Sequence, residues 1–335
     1  MSLACEFERA TFPLEHDFGI SRGTQTSAEN VLVRIEDEQG RVGVGAAAPS
    51  SRYGETIATV EGVMPDLLAA VEGIEREARA RVGHNGGALC AVDVALHDLA
   101  ATQFGVPLYR YFGLDPGRTI RTSYTVGLDD TGRMREKTAE AVDAGYSILK
   151  VKLGTDRDRE IVETIREEAP DATVRVDANE AWTPREAVRN TAWLAEYGVE
   201  FVEQPVPAEN PDGMAFVREH GDLPVAADES CVRLADVPEV GEIADIATIK
   251  LTKAGGVRET VRMIHAARAE GLSVMLGCML GTTALLSAGA HLAPLLDYAD
   301  LDGALLLAED RYEGVPIPEG EIDLSAVDRP GTGVT

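Results

Sequence analysis

The chain has 335 residues and carries 57 acidic against 31 basic side chains, which gives a formal net charge of −26. This acid excess argues against nucleic acids and anionic membranes as partners, because both are bound through basic surfaces. The length is sufficient for one large α/β domain and a smaller one. The four cysteines lack CxxC spacing, so the sequence predicts neither a zinc site nor a disulfide framework.

The composition also bears on the compartment. The sequence contains no run of 18 apolar residues and no positively charged, apolar leader, and we therefore expect a cytoplasmic protein. Only five of its basic residues are lysines. Acid excess with so little lysine is typical of adaptation to a high-salt cytoplasm, where a Debye length of about 3 Å at molar salt screens self-repulsion. Our hypothesis is a halophilic source.

The first part of the chain is predicted to form an α+β domain over residues 1–117. Residues 4–47 alternate apolar and polar side chains, as the strands of a small antiparallel sheet do. Segments rich in small polar residues predict loops at 19–25 and 48–53, and helical spacing predicts helices at 55–81 and 88–104.

From residue 118 onward, short β-rich runs alternate with single amphipathic helices. Eight such runs at spacings of roughly 20 to 28 residues predict parallel strands joined by crossover helices, closed into a (β/α) barrel over residues 118–304. The runs are 122–126, 148–153, 174–178, 201–204, 225–228, 246–251, 273–276 and 297–302. The eighth lacks a full helix after it, and the tail, 305–335, is predicted to pack back on the first domain.

Three carboxylates end consecutive predicted strands, namely Asp177, Glu203 and Asp228. Functional groups of such barrels gather at the carboxyl ends of the strands, so these side chains are expected to converge. Any one of them alone is better explained as a helix cap or an ion pair. Three in succession repel one another unless a cation neutralises them, and an all-oxygen set favours Mg²⁺ over zinc.

Four of the five lysines form two clusters at strand ends, Lys150 with Lys152 and Lys250 with Lys253. A lysine beside a divalent cation and a second ammonium has a lowered pKa and can serve as a general base. Because Lys152 and Lys250 end the second and sixth strands, they are expected to face each other across a substrate. One would remove a proton next to a carboxylate, Lys150 and the metal would hold the enediolate, and the other lysine would return a proton on the opposite face.

At this point the residues resemble the enolase superfamily, specifically its muconate lactonizing enzyme subgroup and, within it, the dipeptide epimerases. The resemblance covers nearly the whole chain, from the Ile-Ser-Arg-Gly-Thr motif at 20–24 and the Ala-Glu-Asn-Val motif at 28–31 to the tail. It implies an α/β fold, a (β/α)7β TIM-like barrel with an α+β capping domain, and an isomerase with one Mg²⁺ per subunit. The implied site consists of Asp177, Glu203 and Asp228 on the metal, Lys152 and Lys250 as the acid/base pair, and Lys150 beside the substrate carboxylate.

The substrate prediction depends on Asp300 and Asp302 of the eighth strand. In dipeptide epimerases an Asp-x-Asp motif at this place receives the α-ammonium group of the dipeptide, and two carboxylates are a sensible ammonium site. The alternative for the pair is a solvated turn in an acidic protein. Arg22 is expected to lie on a loop that closes over the site and to pair with an acidic side chain such as glutamate, although Arg52 competes for this role and a hydrophobic side chain stays open.

Two further residues, Thr125 and Met279, are expected to contact the substrate. The sequence departs from many relatives at Gly281 and Ala46, where glutamate is common. The residues around Lys250 in the substrate pocket and the packing of the capping loop are therefore not predicted. Residues 273–281 contain no histidine, so the mandelate racemase subgroup is rejected.

Other functions stay open from the sequence. An N-acylamino acid racemase, o-succinylbenzoate synthase or muconate cycloisomerase of the same subgroup would not need the paired aspartates. A lysine Schiff-base barrel would have no use for three clustered carboxylates. A non-catalytic descendant would not need the intact lysines and ligands. The expected partner is a small dipeptide, and a homo-oligomer is an open possibility.

Overall fold

The computed structural model describes residues 3–71 and 85–335, and two β-sheets organise these ranges. The first sheet is antiparallel and contains β1 (Leu3–Ile20), β2 (Gly23–Asp37) and β3 (Val42–Ala47) in that order. Its strands alternate buried and exposed side chains as the sequence predicts, and buried Val31, Val33 and Ile35 form one core face.

The predicted loop at residues 19–25 is wrong. The strands continue through this segment, with Gly19 paired to Thr24 and Ile20 to Gly23, so that only Ser21 and Arg22 form the turn. The side chains from residue 21 to residue 26 are exposed, which removes the apolar alternation by which a strand is recognised. The result is a hairpin over residues 18–25, and its Gly19 carbonyl accepts the Leu128 N–H of the barrel at 2.8 Å.

Helices cover one face of this sheet. They are α1 (Ile57–Ala70) and α2 (Gly86–Phe104), and the single turn α3 (Leu108–Tyr111) follows α2. The first begins at a Thr56 capping box, and residues 72–81 of its predicted extent lie outside the described residues. Gly43 and Gly45 allow α2 to lie directly on β3, because a Cβ at either position would collide with the α2 backbone.

The second sheet is a barrel of eight parallel strands, as predicted, and the observed strand ends differ from the prediction by at most two residues. The strands are β4 (Tyr124–Val126), β5 (Ile148–Lys152), β6 (Thr173–Asp177), β7 (Val199–Glu203), β8 (Val225–Ala227), β9 (Ile246–Lys250), β10 (Ser273–Gly277) and β11 (Tyr298–Asp300). They pair in sequence order, and a parallel bridge between Thr122 and Ala299 joins the two ends.

Crossover helices connect successive strands, and buried Val and Leu side chains fill the space between the helices and the sheet. The helices are α4 (Thr131–Asp143), α5 (Asp158–Glu168), α6 (Pro184–Glu196), α7 (Pro211–His220), α8 (Val237–Ile243), α9 (Leu251–Ala254), α10 (Val257–Ala269) and α11 (Thr283–Ala290). No α-helix follows β11 in residues 301–335, all of which are described. The architecture is therefore the predicted (β/α)7β barrel with an α+β domain.

The C-terminal segment, residues 305–335, contacts the first domain and the segment that precedes the first barrel strand. Bridges join Leu14 to Leu307, Pro107 to Gly331 and Arg121 to Glu321. The domain limits at residues 117 and 304 stay predictions. In the described ranges no helix combines the length and apolar character that crossing a bilayer requires.

Candidate active site

A cavity of about 490 Å³ lies where the hairpin meets the carboxyl ends of the barrel strands. The first domain contributes Arg22, Arg52 and Tyr53 to its wall, and the barrel contributes side chains from several strand ends. This is the place and the size expected of a small-molecule site in such a barrel. Among the predicted residues, the cavity is lined by Lys150, Lys152, Lys250, Asp228, Asp300, Asp302, Thr125, Arg22 and Met279.

Strand register brings the predicted carboxylates and lysines to one level of the barrel. Lys152 pairs with Asp177 and Asp177 with Glu203 across β5, β6 and β7. On the other side, Gly277 of β10 pairs with both Lys250 and Asp300. All of these ionisable side chains are buried. Because adjacent parallel strands end together, residues that are 25 or more positions apart in sequence become neighbours.

The predicted acid/base lysines each bind a predicted metal ligand. Lys152 Nζ lies 2.6 Å from Asp177 Oδ2, and Lys250 Nζ lies 2.7 Å from Asp228 Oδ2. Lys150 Nζ lies 2.6 Å from Glu203 Oε2 and 3.3 Å from Asp177 Oδ2. The sequence predicted that these groups converge, but not which lysine pairs with which carboxylate.

Sequence reasoning assigned no role to Lys253, which does not line the cavity but binds the predicted metal ligand Asp228. Its ammonium donates to Asp228 Oδ1 at 2.6 Å, to the Asp228 carbonyl at 2.6 Å and to the Thr248 carbonyl at 3.0 Å. Its side chain is 1% exposed. The spacing of the two lysines could have revealed this contact. Because α9 starts immediately after Lys250, the residue three positions later lies on the same side of the helical turn.

The site has more carboxylates than ammonium groups. Six buried carboxyl groups lie among four buried lysines; they are Asp177, Glu203, Asp228, Glu229, Asp300 and Asp302, beside Lys150, Lys152, Lys250 and Lys253. Burial and repulsion from Asp177 and Asp228 raise the pKa of Glu203 to about 8, and burial with repulsion from Asp228 raises that of Glu229 to about 7. Carboxyl groups outnumber cations even when Arg22 is counted, and the raised pKa values of Glu203 and Glu229 reflect a repulsion that a bound cation would relieve.

The three predicted ligands have the donor atoms that a hard cation such as Mg²⁺ prefers. Asp177, Glu203 and Asp228 supply only oxygen atoms, and Glu203 Oε1 is buried without a hydrogen-bond partner in the described part of the chain. In residues 3–71 and 85–335 no three His, Cys, Asp or Glu side chains are already arranged as a ligand set. The lysines account for this, because their ammonium groups lie against the same oxygen atoms.

The paired aspartates differ from each other. Asp300 accepts hydrogen bonds from Lys150 Nζ at 2.7 Å and from Ser123 Oγ at 2.6 Å. Burial alone would raise its pKa, but the Lys150 ammonium holds the pKa of Asp300 below its usual value. Asp302 accepts the backbone N–H of Thr125 at 2.6 Å and has no ion pair among the described residues. Burial and repulsion from Asp300 raise the pKa of Asp302 to about 6.

Arg22 and Arg52 both bind carboxylates of the protein. Arg22 donates to Glu229 Oε1 at 2.8 Å, to Glu180 Oε2 at 3.1 Å and to the Asn179 carbonyl at 3.1 Å. Arg52 makes a bidentate pair with Glu180, at 2.7 Å for each contact. The structure places Arg22 at the cavity wall, and sequence reasoning missed its contacts with Glu180 and Glu229.

The backbone around Glu180 is unusual. Asn179 and Glu180 have φ angles of 43° and 70°, and Gln204 has 36°, in the left-handed region that side chains other than glycine rarely adopt. Such strain concentrates at functional sites, where surrounding contacts fix it. Here the Asp177 carboxylate accepts the Asn179 N–H at 2.8 Å, which ties this bend to the predicted metal ligand.

Gly281 lies against the first domain. A Cβ at this position would lie 3.3 Å from Asn30 Oδ1, so a larger side chain would require Asn30 to shift by a few tenths of an ångström, and it would contact Ala48 Cβ at 3.5 Å. Ala46 is fully buried in β3. Both departures therefore alter packing between the first domain and the barrel without removing a predicted ligand or lysine.

Comparison with known proteins gives the family. Residues 7–113 match the mandelate racemase/muconate lactonizing enzyme N-terminal domain, and residues 133–335 match the enolase C-terminal domain-like family. The chain is 38% identical to the L-Ala-D/L-Glu epimerase of Bacteroides thetaiotaomicron, over 96% of this chain and 85% of the relative. It is 35% identical to the hydrophobic dipeptide epimerase of Roseobacter litoralis, over 96% of this chain and 94% of the relative.

Among solved structures, the chain is similar to the dipeptide epimerase from Enterococcus faecalis complexed with Mg and the dipeptide L-Leu-L-Tyr. The TM-score is 0.93, the sequence identity is 31%, and each chain is covered completely. These comparisons confirm the predictions of the superfamily, of the barrel fold and of an isomerase. The chain therefore belongs to the mandelate racemase/muconate lactonizing enzyme family of the enolase superfamily and groups with its dipeptide epimerases.

Proposed function

We propose that the protein is a Mg²⁺-dependent epimerase that inverts the α-carbon next to the carboxylate of a dipeptide by 1,1-proton transfer. One observation carries this proposal: Lys152 and Lys250, from the second and sixth of eight barrel strands, both open into a cavity that also contains the Asp302 carboxylate. Two bases on opposite strands suit removal and return of a proton on opposite faces of one carbon.

In this proposal one lysine takes the α-proton and the other donates a proton to the opposite face. The resulting inversion works in both directions, since each lysine can begin the turnover in its neutral form. Burial lowers the pKa of Lys250, but the neighbouring carboxylates, Asp228 foremost with Glu203 and Glu229, together raise this pKa above its usual value. Further positive charge near Asp228 is therefore required for Lys250 to act as a base at neutral pH.

Asp177, Glu203 and Asp228 are the residues that would hold Mg²⁺, supported by their all-oxygen chemistry, the unpartnered Glu203 oxygen and the carboxylate excess. The bound ion would supply positive charge that stabilises the enediolate form of the substrate carboxylate. Lys150, which contacts both Glu203 and Asp300, would donate hydrogen bonds at the same side of the substrate.

The amino end of the dipeptide is assigned to the paired aspartates. Asp302 offers a buried carboxylate without an ion pair in the described residues, and Asp300 stands next to it. An α-ammonium group would relieve the repulsion between the two. A blocked amino group would leave Asp302 without a cation, which distinguishes a dipeptide from an N-acylated amino acid. On the acid-rich composition we further propose a small-molecule partner rather than a nucleic acid or membrane. We also propose a cytoplasmic location.

The test is a library of L,L-dipeptides incubated with the protein and Mg²⁺ in D₂O and read by mass spectrometry. We expect one deuterium at the α-carbon of the C-terminal residue and formation of the L,D product, both lost on adding EDTA. Exchange that continues in metal-free protein would contradict the metal assignment. Faster turnover of N-succinyl or N-acetyl amino acids than of every free dipeptide would favour an N-acylamino acid racemase instead.

A further inference from the structure

Every cationic side chain that lines the described part of the cavity is already paired with a carboxylate of the protein. The three lysines contact Asp177, Glu203, Asp228 and Asp300, as described above. The other two cations are Arg22 and Arg52, which come from the hairpin and from the segment after β3. Among these cations, only Arg22 and Arg52 have no proposed role in proton transfer or in binding the enediolate, so they are the ones available to recognise an acidic side chain of the substrate.

Glu180 is the residue that both arginines share. It contacts Arg22 at 3.1 Å, binds Arg52 through both carboxylate oxygens at 2.7 Å, and accepts the Ala208 N–H at 2.9 Å. Its side chain is 10% exposed. The strained bend at Asn179 and Glu180 presents this carboxylate to the first domain instead of to solvent. Glu180 does not itself line the cavity, but it is a fixed negative charge between two arginines that do.

Glu229 places a second carboxyl group beside Arg22 on the cavity side. It lines the cavity, its side chain is 1% exposed, and its Oε1 lies 2.8 Å from Arg22 Nη2. Its other oxygen, Oε2, is buried without a hydrogen-bond partner in the described residues. The Arg22 charge is therefore shared by two carboxylates, and no net positive charge faces the cavity at this end.

From this arrangement we infer that Glu180 is a specificity-determining residue that disfavours acidic side chains at the epimerised position, so that the protein acts on dipeptides with a neutral C-terminal residue. A substrate carboxylate near Arg22 would be repelled by Glu180 and Glu229. If it displaced them instead, it would leave a buried carboxylate unpaired, which is strongly unfavourable. The inference rests on the proposed function and revises the expectation that Arg22 selects glutamate.

The experiment compares two C-terminal residues of almost equal shape that differ in charge, glutamine and glutamate, after the same N-terminal residue chosen from the library. We expect kcat/KM of the natural protein to be about tenfold or more higher for glutamine than for glutamate, since like charges at a binding site are strongly disfavoured. A ratio near one, or a preference for glutamate, overturns the inference. Absence of α-deuterium exchange with every dipeptide would instead overturn the proposed function.

The role of Glu180 is tested with Glu180→Gln, which keeps the shape and removes the charge. We expect the glutamine-to-glutamate ratio to fall by about threefold or more, because Arg22 and Arg52 then present uncompensated charge. The matched control is Glu209→Gln, since Glu209 contacts only Arg52 among the described residues and is 71% exposed; its ratio should stay that of the natural protein. An unchanged ratio in Glu180→Gln, or an equal fall in the control, overturns the assignment. The ratio is insensitive to a general loss of folded protein, because both substrates report on the same sample.

Discussion

The Lys150 ammonium lies 2.7 Å from Asp300 Oδ2, whereas Asp302, two residues later, has no ion pair in the described part of the chain. The two aspartates are therefore not equivalent, although the sequence presents them as a symmetrical pair. Asp300 is held ionised by a lysine of β5, which lies next to the strand at the other end of the strand order. Asp302 is the carboxylate that gains most from the α-ammonium group of a substrate.

Asp302→Asn is expected to impair free dipeptides severely. It removes a charge-assisted contact worth on the order of 2 to 5 kcal/mol, which corresponds to a fall in kcat/KM of about 30- to several-thousand-fold. N-acetylation of the dipeptide should lower kcat/KM of the natural protein in the same way and change little in the variant. Steady-state kinetics with matched free and acetylated dipeptides measures both effects.

The control for this variant is Asp297→Asn. Asp297 precedes the same strand at its other end, where it accepts the Val274 N–H, and its side chain is 38% exposed. We expect near-natural kinetics. Equal losses in the two variants would mean that the aspartate acts through the barrel strand rather than through the substrate.

The rate should depend on the ionisation of Asp302. Burial and repulsion from Asp300 raise its pKa to about 6, so lowering the pH through this value protonates the carboxyl group and removes its attraction for an ammonium ion. We expect kcat/KM for free dipeptides to fall about tenfold for each pH unit below 6. This acid limb should be absent from the profile of Asp302→Asn, and its persistence there would assign it to another group.

The same shift predicts a cost in stability. Because the folded-state pKa of Asp302 lies above the ordinary value of 3.8, the native protein binds more protons than the unfolded chain between the two values. Relative to its value at high pH, the free energy of unfolding is increased in full by this proton binding below pH 3.8, and the increase is lost as the pH rises through 6. Asp302→Asn should therefore be more stable than the natural protein at pH 7, by about 1 to 3 kcal/mol. Denaturant titration at pH 7 measures the difference, and a less stable variant would contradict it.

Much of this architecture is readable from the sequence because parallel strands buried on both faces leave short apolar runs at regular spacing. Strand ends were correct within two residues, and reading the residues there found Lys152, Lys250 and the three carboxylates. The sequence did not predict which side chains pair with each other. Lys150 contacts Asp300, 150 positions later, only because β4 and β11 meet when the barrel closes. The hairpin at 18–25 was missed because its exposed polar residues do not alternate with apolar ones. Without the hairpin, the pairing of Arg22 with Glu180 could not be predicted either.

Lys152→Ala and Lys250→Ala should separate the two faces of the reaction. Each should lower epimerisation by about 100- to 10,000-fold, because both lysines are needed in every turnover. Each variant should still exchange the α-proton of one stereoisomer, the one whose proton faces the remaining lysine. Deuterium incorporation into the L,L and L,D dipeptides, measured separately, gives the assignment.

Lys137→Ala is the control for these variants, since Lys137 is also buried but binds Asp129 and the Asp17 carbonyl away from the cavity. Its exchange of both stereoisomers should persist in folded protein. Near-normal epimerisation by both catalytic variants would remove the two-base mechanism.

Lys253→Met tests whether the unassigned lysine positions Asp228. The change removes three hydrogen bonds and leaves two backbone carbonyls and a buried carboxylate oxygen without their donor. Breaking a buried pair in this way typically costs about 3 to 5 kcal/mol of stability. Loss of a group that orients a metal ligand lowers metal affinity by about 10- to 100-fold. Calorimetric titration of the folded variant with Mg²⁺ measures this second effect without requiring turnover.

Lys137→Met provides the comparison, because it removes a buried ammonium that likewise binds one carboxylate and one backbone carbonyl, at 3.0 Å each. We expect it to lower the unfolding free energy and to leave the affinity for Mg²⁺ unchanged. A similar loss of Mg²⁺ affinity in both variants would indicate general loosening of the barrel. An unaltered affinity in Lys253→Met would show that Lys250 and the strand backbone are sufficient to orient Asp228, and Lys253 would then be a contributor to stability alone.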